Sequence, residues 1–196
     1  MNDKIESFYK RWKADNRTIA VVGNGTPSKN YGKEIDKYDI VIRFNLCITK
    51  GYEELVGTKT FVQCVGSFTL MQSEQFKEIK NIHPYVWSFY VKDYNYKTPE
   101  PNFCLPAKCY YIKAKELLDV RKPTCGFNLL YSMYLNDIKA DVFCMDFYKT
   151  NPYYTETVAK DYDFFKVNSV KGYDLVHNPK AEKSFWEEVE WHNFKV

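Results

Sequence analysis

The residues best suited to chemistry lie at the ends of two short apolar runs near the amino terminus. The stretch IAVVGNGTPSKNYGKEIDKYDIVIRFN, residues 19–45, contains both runs, and Asn24 and Asn45 follow them. An amide side chain both donates and accepts hydrogen bonds, so a pair of amides at strand ends could hold a nucleotide. Asn-Gly is also an ordinary turn sequence, and the alternative is that both asparagines cap turns.

The loop after the first run is rich in glycine. In an open parallel sheet the ligand lies beyond the carboxyl ends of the strands, which makes Gly23, Asn24 and Gly25 candidate binding residues. The dinucleotide fingerprint G-x-G-x-x-G needs a third glycine where Ser28 stands, and no Gly-Lys-Ser/Thr of a P-loop follows. A dinucleotide-dependent oxidoreductase is therefore disfavoured.

Strands and helices alternate along the chain around these loops. Hydrophobic periodicity predicts strands in residues 18–23, 39–44, 59–66, 84–91 and 140–147, and helices in 1–15, 69–82, around 115–120, 124–138 and 178–194. Thr124 and Pro179 suit the starts of the last two helices. The alternation predicts an α/β fold, in which a mostly parallel sheet carries helices on both faces.

The length of the chain, 196 residues, favours one domain that spans residues 1–196. Residues 92–108 contain three prolines and show no periodicity, so they are expected to form a lid or an active-site loop.

The charge balance and the cysteines restrict the function further. Lys and Arg total 28 and Asp and Glu total 25, an excess too small to indicate nucleic-acid binding. No segment is apolar over the length of a signal peptide or a membrane span, so we expect a cytoplasmic protein. The six scattered cysteines are expected to be reduced, and the close pair in CLPAKC, residues 104–109, lacks the further ligands of a zinc site.

Several longer motifs resemble those of the sialyltransferases of glycosyltransferase family 29. AVVGN, G-x-EID, D-x-V-x-R-x-N and VGTKT, all within residues 20–60, resemble the large sialylmotif, and residues 123–147 resemble the small one. YYTE at 153–156 is similar to the third motif, and HNPKAE at 177–182 matches the very small motif, H-x4-E. TCGFNLL and MDFYKTNPYY are also similar to segments of the bacterial sialyltransferases of family 42.

The resemblance implies a Rossmann-like fold of the GT-A variant type and a CMP-activated sugar donor that is bound without a metal or a separate cofactor. Transfer of sialic acid, or of a related ulosonic acid such as Kdo, to a glycan hydroxyl would be inverting. The implied donor-binding residues are Asn24, Gly25, Asn45, Thr124, Cys125, Gly126, Tyr148, Tyr153 and Tyr154. The start of the helix after Thr124 would suit an anionic group, because its unpaired N–H groups and dipole favour negative charge. An ordinary helix cap is the alternative.

The resemblance also assigns a general base and a leaving-group donor. His177 would take the proton of the acceptor hydroxyl, at a pKa suited to neutral pH, and Glu182 would secure the helix start or its neighbours. The tyrosine hydroxyls of residues 148–154 would stabilise the charge on the departing phosphate. His83 and His192 are expected to lie at the surface, and Asp161-Tyr-Asp163 is not expected to bind a metal, since CMP has a single phosphate.

Three departures from the family pattern leave alternatives open. Tyr153 stands where the third motif of family 29 has histidine, and the chain is short, so a CMP-binding protein without transfer activity is the competing hypothesis. The cysteines that family 29 enzymes of animals join by a disulfide are replaced by Ile19 and, within a residue, Asn136, which fits a reducing compartment. The apolar stripe of the last helix predicts packing on its own domain, with contact to the inner membrane surface as a minor hypothesis. The acceptor glycan is not predicted.

Overall fold

The computed structural model describes residues 4–65, 85–88, 103–104, 108–119, 123–147, 149–150, 152–154 and 177–195. The helices in these ranges are α1 (Lys4–Ala14), α2 (Gly32–Ile35), α3 (Glu53–Val56), α4 (Lys108–Leu118), α5 (Cys125–Leu135) and α6 (Pro179–Val189). The strands are β1 (Ile19–Val22), β2 (Ile40–Phe44), β3 (Val62–Val65), β4 (Tyr85–Ser88), β5 (Phe103–Cys104), β6 (Asp141–Phe143) and β7 (Asn193–Lys195). The predicted helix 69–82 and most of the predicted loop 92–108 lie outside the described residues.

The strands form one sheet in the order β5-β4-β3-β2-β1-β6-β7, and every described pair is parallel. β1 lies between β2 and β6, with Val21 opposite Ile42 on one side and Val142 on the other. Its four residues are buried, as expected for a continuous β-branched run covered on both faces. The predicted parallel α/β architecture is confirmed.

Helices cover both faces of this sheet. On one face Val21 and Ile42 pack in a core with residues of α1, α5 and α6 such as Ile5, Leu130 and Trp186. On the other face Ala20, Val22 and Val41 pack against Ile35 of α2 and Val56 of α3. The alternation of side chains along β1 and β2 sends neighbouring residues into these two cores.

The carboxyl-terminal prediction needs two corrections. The helix predicted over 178–194 ends at Val189, because Glu190 adopts a left-handed conformation with φ of 48°, and the chain then adds β7 to the sheet edge. His192, predicted at the surface, is only 7% exposed. Its Nε2 lies 3.1 Å from the carbonyl oxygen of Leu130, and its ring packs on Trp186.

The other helices agree with their predicted positions, with one extension. α1 covers most of residues 1–15, and Thr124 caps α5 by accepting a hydrogen bond from the Phe127 N–H. α4 begins at Lys108, so it extends further toward the amino terminus than the helix predicted around 115–120. The apolar stripe of α6 packs on its own domain, since Phe185 contacts Phe127 of α5 and Trp186 is 4% exposed.

Candidate functional site at the carboxyl edge of the sheet

Asn24 and Asn45 follow neighbouring parallel strands, β1 and β2, and therefore lie at the same edge of the sheet. The Asn24 side-chain amide donates to the carbonyl oxygen of Phe44, the last residue of β2, at 3.3 Å. Asn45 has a φ of 54°, a left-handed conformation that Asn tolerates better than most residues. Its N–H donates to Cys64 O at 2.7 Å, and both asparagines are partly exposed. The structure thus brings the two predicted binding residues together.

The loop after β1 lies directly against the loop after β6. The N–H groups of Gly23 and Gly25 donate to Phe143 O at 2.7 Å and Cys144 O at 2.8 Å. A Cβ atom on Gly23 would lie 2.3 Å from Cys144 O, closer than any contact allows. Gly23 is therefore required for the close approach of two backbones, and a ligand role for this glycine is not needed to explain it.

Asp146 joins these two loops, and the sequence interpretation missed it. Its Oδ2 accepts hydrogen bonds from the N–H and hydroxyl of Thr150, at 2.7 and 2.5 Å, while Thr150 Oγ1 accepts from the Thr26 N–H at 2.8 Å. Asp146 is buried. The sequence analysis placed Asp146 inside the strand predicted over 140–147, whereas β6 ends at Phe143, and the pairing of β1 with β6 brings the segment after β6 to this edge.

Tyr153 adds an aromatic wall to this edge. Its N–H donates to Asn24 O at 3.0 Å, its hydroxyl donates to Ile48 O at 2.6 Å, and its ring packs on Tyr52 and Tyr154. Burial raises the pKa of Tyr153 well above its usual value, so the hydroxyl keeps its proton. Tyr154 is buried, and Tyr148 lies outside the described residues. For Tyr153 to donate to a phosphate, its hydroxyl must leave Ile48.

The start of α5 reaches the same edge. A Cβ on Gly126 would lie 2.7 Å from Met145 Cε, in the loop after β6, and 3.9 Å from the Phe44 ring at the end of β2. Cys125 is partly exposed. Thr124 donates twice to the Glu182 carboxylate, from its N–H at 2.8 Å and from its hydroxyl at 2.6 Å. The Thr124-Cys-Gly126 step is therefore near Asn24 and Asn45, and part of its donor capacity is already used.

His177 is connected to this edge through the contact between Glu182 and Thr124. It precedes Asn178, whose side chain caps α6 by accepting from the Ala181 N–H at 3.1 Å, and Pro179 occupies the first turn. His177 is partly exposed. Glu182, in the first turn of α6, bonds to Thr124 and so ties this segment to the start of α5. Burial raises the pKa of Glu182 to about 7, although both hydrogen bonds from Thr124 act to lower it.

The model of glycosyltransferase family 29 (sialyltransferase) matches residues 3–98, which include β1, β2 and both asparagines. Over these residues the chain is similar to glycosyltransferase family 29.

The curated proteins to which this chain is similar carry two kinds of name. Over 132 residues the chain is 31% identical to the β-galactoside α-2,6-sialyltransferase 2 of Bos taurus. This alignment covers 61% of the chain and 24% of that relative. Over 70 residues it is 41% identical to the β-1,6-galactosyltransferase GALT29A of Arabidopsis thaliana, covering 35% of the chain and 17% of that relative. The chain spans about a quarter of the length of the bovine relative.

A solved structure supports the fold. The crystal structure of a mammalian sialyltransferase in complex with Gal-β-1-3GalNAc-ortho-nitrophenol superposes with a TM-score of 0.59. The match covers 91% of this chain and 68% of that one, at 17% identity. At this identity the similarity concerns the fold, and it agrees with the parallel α/β sheet described above.

The chain also buries Arg43, which the sequence analysis gave only as the arginine of the D-x-V-x-R-x-N motif. Arg43 is 1% exposed; its Nε donates to Lys59 O and Thr60 Oγ1, and one terminal nitrogen donates to Val56 O at 2.6 Å. Burial lowers the pKa of this guanidinium. Gln63 lies opposite Arg43 on β3 and donates to Asn45 O. Of these two buried side chains, Gln63 contacts Asn45 directly and supports its backbone conformation.

The described part of the chain contains no group of three His, Cys, Asp or Glu side chains that could hold a metal ion. Cys47, Cys64, Cys125 and Cys144 form no disulfide. Within the same ranges no helix combines the length and the apolar character needed to cross a membrane.

Proposed function

We propose that this chain is an inverting, metal-independent glycosyltransferase that moves sialic acid or a related ulosonic acid, such as Kdo, from a CMP-sugar to a glycan hydroxyl. One observation carries the proposal: Asn24, Asn45 and the start of α5 meet at the carboxyl edge of the sheet, within the family 29 architecture. This is the edge at which parallel α/β sheets bind nucleotides.

CMP combines a base, a ribose and a phosphate, and the edge offers groups for each. The amides of Asn24 and Asn45 would bond to the polar atoms of the nucleoside, because each side chain offers both donors and an acceptor. The backbone N–H groups at the start of α5 would face the anionic phosphate or the sugar carboxylate. The Tyr153 hydroxyl, on release from Ile48, would donate to the phosphate as negative charge grows on it.

His177 would act as the general base. A neutral imidazole accepts the proton of the acceptor hydroxyl. At the same time the hydroxyl oxygen bonds to the anomeric carbon, and the bond from that carbon to the phosphate oxygen of CMP breaks. Attack opposite to the departing CMP inverts the configuration. No separate cofactor takes part in this scheme, since the activated donor supplies the driving force and CMP has no diphosphate to recruit a metal.

Cytoplasmic action is part of the proposal. The residues at the two positions of the family's disulfide are Ile19, buried in β1, and Asn136, whose side chain caps α5 from its carboxyl end. A chain built without this disulfide can fold under reducing conditions. Peripheral contact with the inner membrane surface remains the minor hypothesis, because Phe185 and Trp186 of α6 are used in packing on α5.

The alternative is a CMP-binding protein without transfer activity. Tyr153, at the position of the family's histidine, has its hydroxyl engaged with Ile48. One relative is a galactosyltransferase by name, so the donor needs an independent test. Calorimetric titration of the metal-free protein with CMP, with UDP and NADH as controls, tests the donor, whereas turnover separates a transferase from a CMP-binding protein. Selective CMP binding supports the proposal, and selective UDP binding contradicts the ulosonic-acid donor.

Replacement of the proposed base tests transfer itself. We expect His177→Ala to bind CMP within about twofold of the wild type and to lose at least about 100-fold in turnover of CMP-Neu5Ac or CMP-Kdo, the scale of general base catalysis. Lys180→Ala, an exposed change three residues away, is the matched control and should turn over normally. Unchanged turnover by His177→Ala would exclude it as the base, whereas CMP binding by a wild type without turnover would favour the alternative.

A further inference from the structure

The Glu182 carboxylate is buried against the start of the neighbouring helix. Glu182 is 3% exposed, and it accepts the Thr124 N–H at 2.8 Å and the Thr124 hydroxyl at 2.6 Å. The same Thr124 oxygen accepts from the Phe127 N–H at 3.0 Å. One carboxylate of α6 thus completes the cap of α5, and removing it would leave buried donors without an acceptor.

This contact fixes two parts of the proposed site relative to each other. Cys125 and Gly126 follow Thr124 directly, at the edge shared with Asn24 and Asn45. His177 lies on the other side of the contact, and the Asn178 cap and Pro179 restrict the backbone between His177 and Glu182. The two hydrogen bonds from Thr124 to Glu182 therefore connect the segment that carries the proposed base, His177, to the start of α5, where the donor is proposed to bind.

The carboxylate also occupies the end of α5 that favours negative charge. A helix amino terminus attracts anions through its N–H groups and its dipole, so Glu182 and a bound phosphate would compete for the same positive potential. Two negative groups in a buried setting repel each other, and the carboxylate can relieve the repulsion by taking up a proton.

We propose that Glu182 is a positioning residue that holds the start of α5 and the His177 segment in register, and that it takes up a proton when the CMP phosphate binds. The inference rests on the proposed function for the identity of the anion. Glu182 acts through Thr124 and His177 and has no contact with the reacting atoms in this assignment.

The surroundings of the carboxylate make proton uptake measurable. Burial raises the pKa of Glu182 to about 7, so the carboxyl group titrates in the pH range in which CMP binding can be measured. From α5 the Thr124 hydroxyl faces the carboxylate. On its own helix Lys180 is exposed, and Lys183 pairs with Glu187 at 2.6 Å. Among the described residues no charged side chain bonds to the Glu182 carboxylate.

The test compares three variants with one control. Glu182→Gln keeps the size of the side chain and one hydrogen-bond acceptor but cannot titrate. Glu182→Asp keeps the charge but is one methylene too short, and Glu182→Ala removes the charge and the acceptors. Glu188→Gln is the same substitution at an exposed position of the same helix and is the control. CMP titrations at pH 7 in buffers of different ionisation enthalpy report proton uptake, and CMP-sugar turnover gives kcat and KM.

We expect the wild type and Glu188→Gln to take up a few tenths of a proton on binding CMP, and Glu182→Gln to take up at least twofold less. Glu182→Asp and Glu182→Ala should lose about tenfold or more in kcat, with partial recovery in Glu182→Gln. Equal proton uptake in the wild type and Glu182→Gln would overturn the coupling, and equal kcat in all variants would overturn the positioning role.

The proposed function can fail separately. A wild type that does not bind CMP refutes the donor assignment and, with it, the proton coupling. Hydrogen exchange at the amides of 124–128, measured without ligand, still decides the positioning role. Faster exchange by about tenfold in Glu182→Ala and not in Glu188→Gln supports it, and equal exchange overturns it.

Discussion

His192 provides a sharp test of the carboxyl-terminal structure, because its burial ties the stability of the fold to pH. Its side chain lies between β7, α5 and α6, with Nε2 3.1 Å from Leu130 O and the ring on Trp186. Burial lowers the pKa of this imidazole from 6.5 to about 4. The perturbation is His192→Gln, since a glutamine amide can reproduce the donor to Leu130 O but does not titrate.

The expected magnitude follows from linkage. The unfolded chain protonates His192 near pH 6.5 and the folded chain only near pH 4, so the unfolded state binds the proton first as the pH falls. The stabilising contribution of the neutral imidazole is present above pH 6.5 and is lost as the pH falls to about 4. The separation of these values, about 2.5, corresponds to about 3 kcal/mol at 1.36 kcal/mol per pKa unit. His192→Gln should not show this loss.

The assay is urea unfolding followed by tryptophan fluorescence between pH 4 and pH 8. Glu182 acts with the opposite sign, because its pKa is raised and stability is lost as the pH rises from 4.5 to about 7. The diagnostic quantity is therefore the difference between the wild type and His192→Gln at each pH, with the partly exposed His177→Gln as the control. A difference that stays constant within about 0.5 kcal/mol over the range would refute the buried, neutral His192.

Two further predictions concern the carboxyl edge of the sheet. Gly23→Ala places a Cβ 2.3 Å from Cys144 O and should destabilise the fold by about 3 kcal/mol or prevent folding. The control Gly51→Ala meets no atom within 4 Å and should cost about 1 kcal/mol because of its φ of 87°. Equal losses of stability in urea unfolding would contradict the close approach of the two loops. Tyr153→Phe removes the 2.6 Å hydrogen bond to Ile48 O and should cost about 1 kcal/mol of stability. If the Tyr153 hydroxyl also serves the departing phosphate, kcat for the CMP-sugar should fall by about tenfold or more, and an unchanged kcat would remove Tyr153 from that role.

Local pattern was sufficient to predict most of the central sheet. β1, β2 and β6 lie inside the predicted strands, because short β-branched runs bounded by turn residues have few other stable conformations in a buried parallel sheet. Thr124 was predicted as a helix cap for an equally local reason, since its hydroxyl needs only the N–H of Phe127 three residues later. Resemblance of the motifs then identified the family, which the match over residues 3–98 supports.

Local pattern was insufficient where a residue's environment depends on distant parts of the chain. β7 has an ordinary amphipathic sequence, and its pairing with β6 exists only because α6 ends at Val189 and returns the chain to the sheet edge. His192 is buried for the same reason. Periodicity within 178–194 therefore extended the helix too far and placed this histidine at the surface.

The sequence by itself determined the alternation of strands and helices, the resemblance to the family and the set of candidate residues, because these depend on side-chain type and near neighbours. The tertiary structure decided how the candidates are used. It placed Asn24 beside the end of β2, occupied the Tyr153 hydroxyl with Ile48, and joined Glu182 to Thr124 across 58 residues of chain. Hydrogen bonds and burial between residues so far apart are set by the packing of whole elements, and no local pattern of residues encodes them.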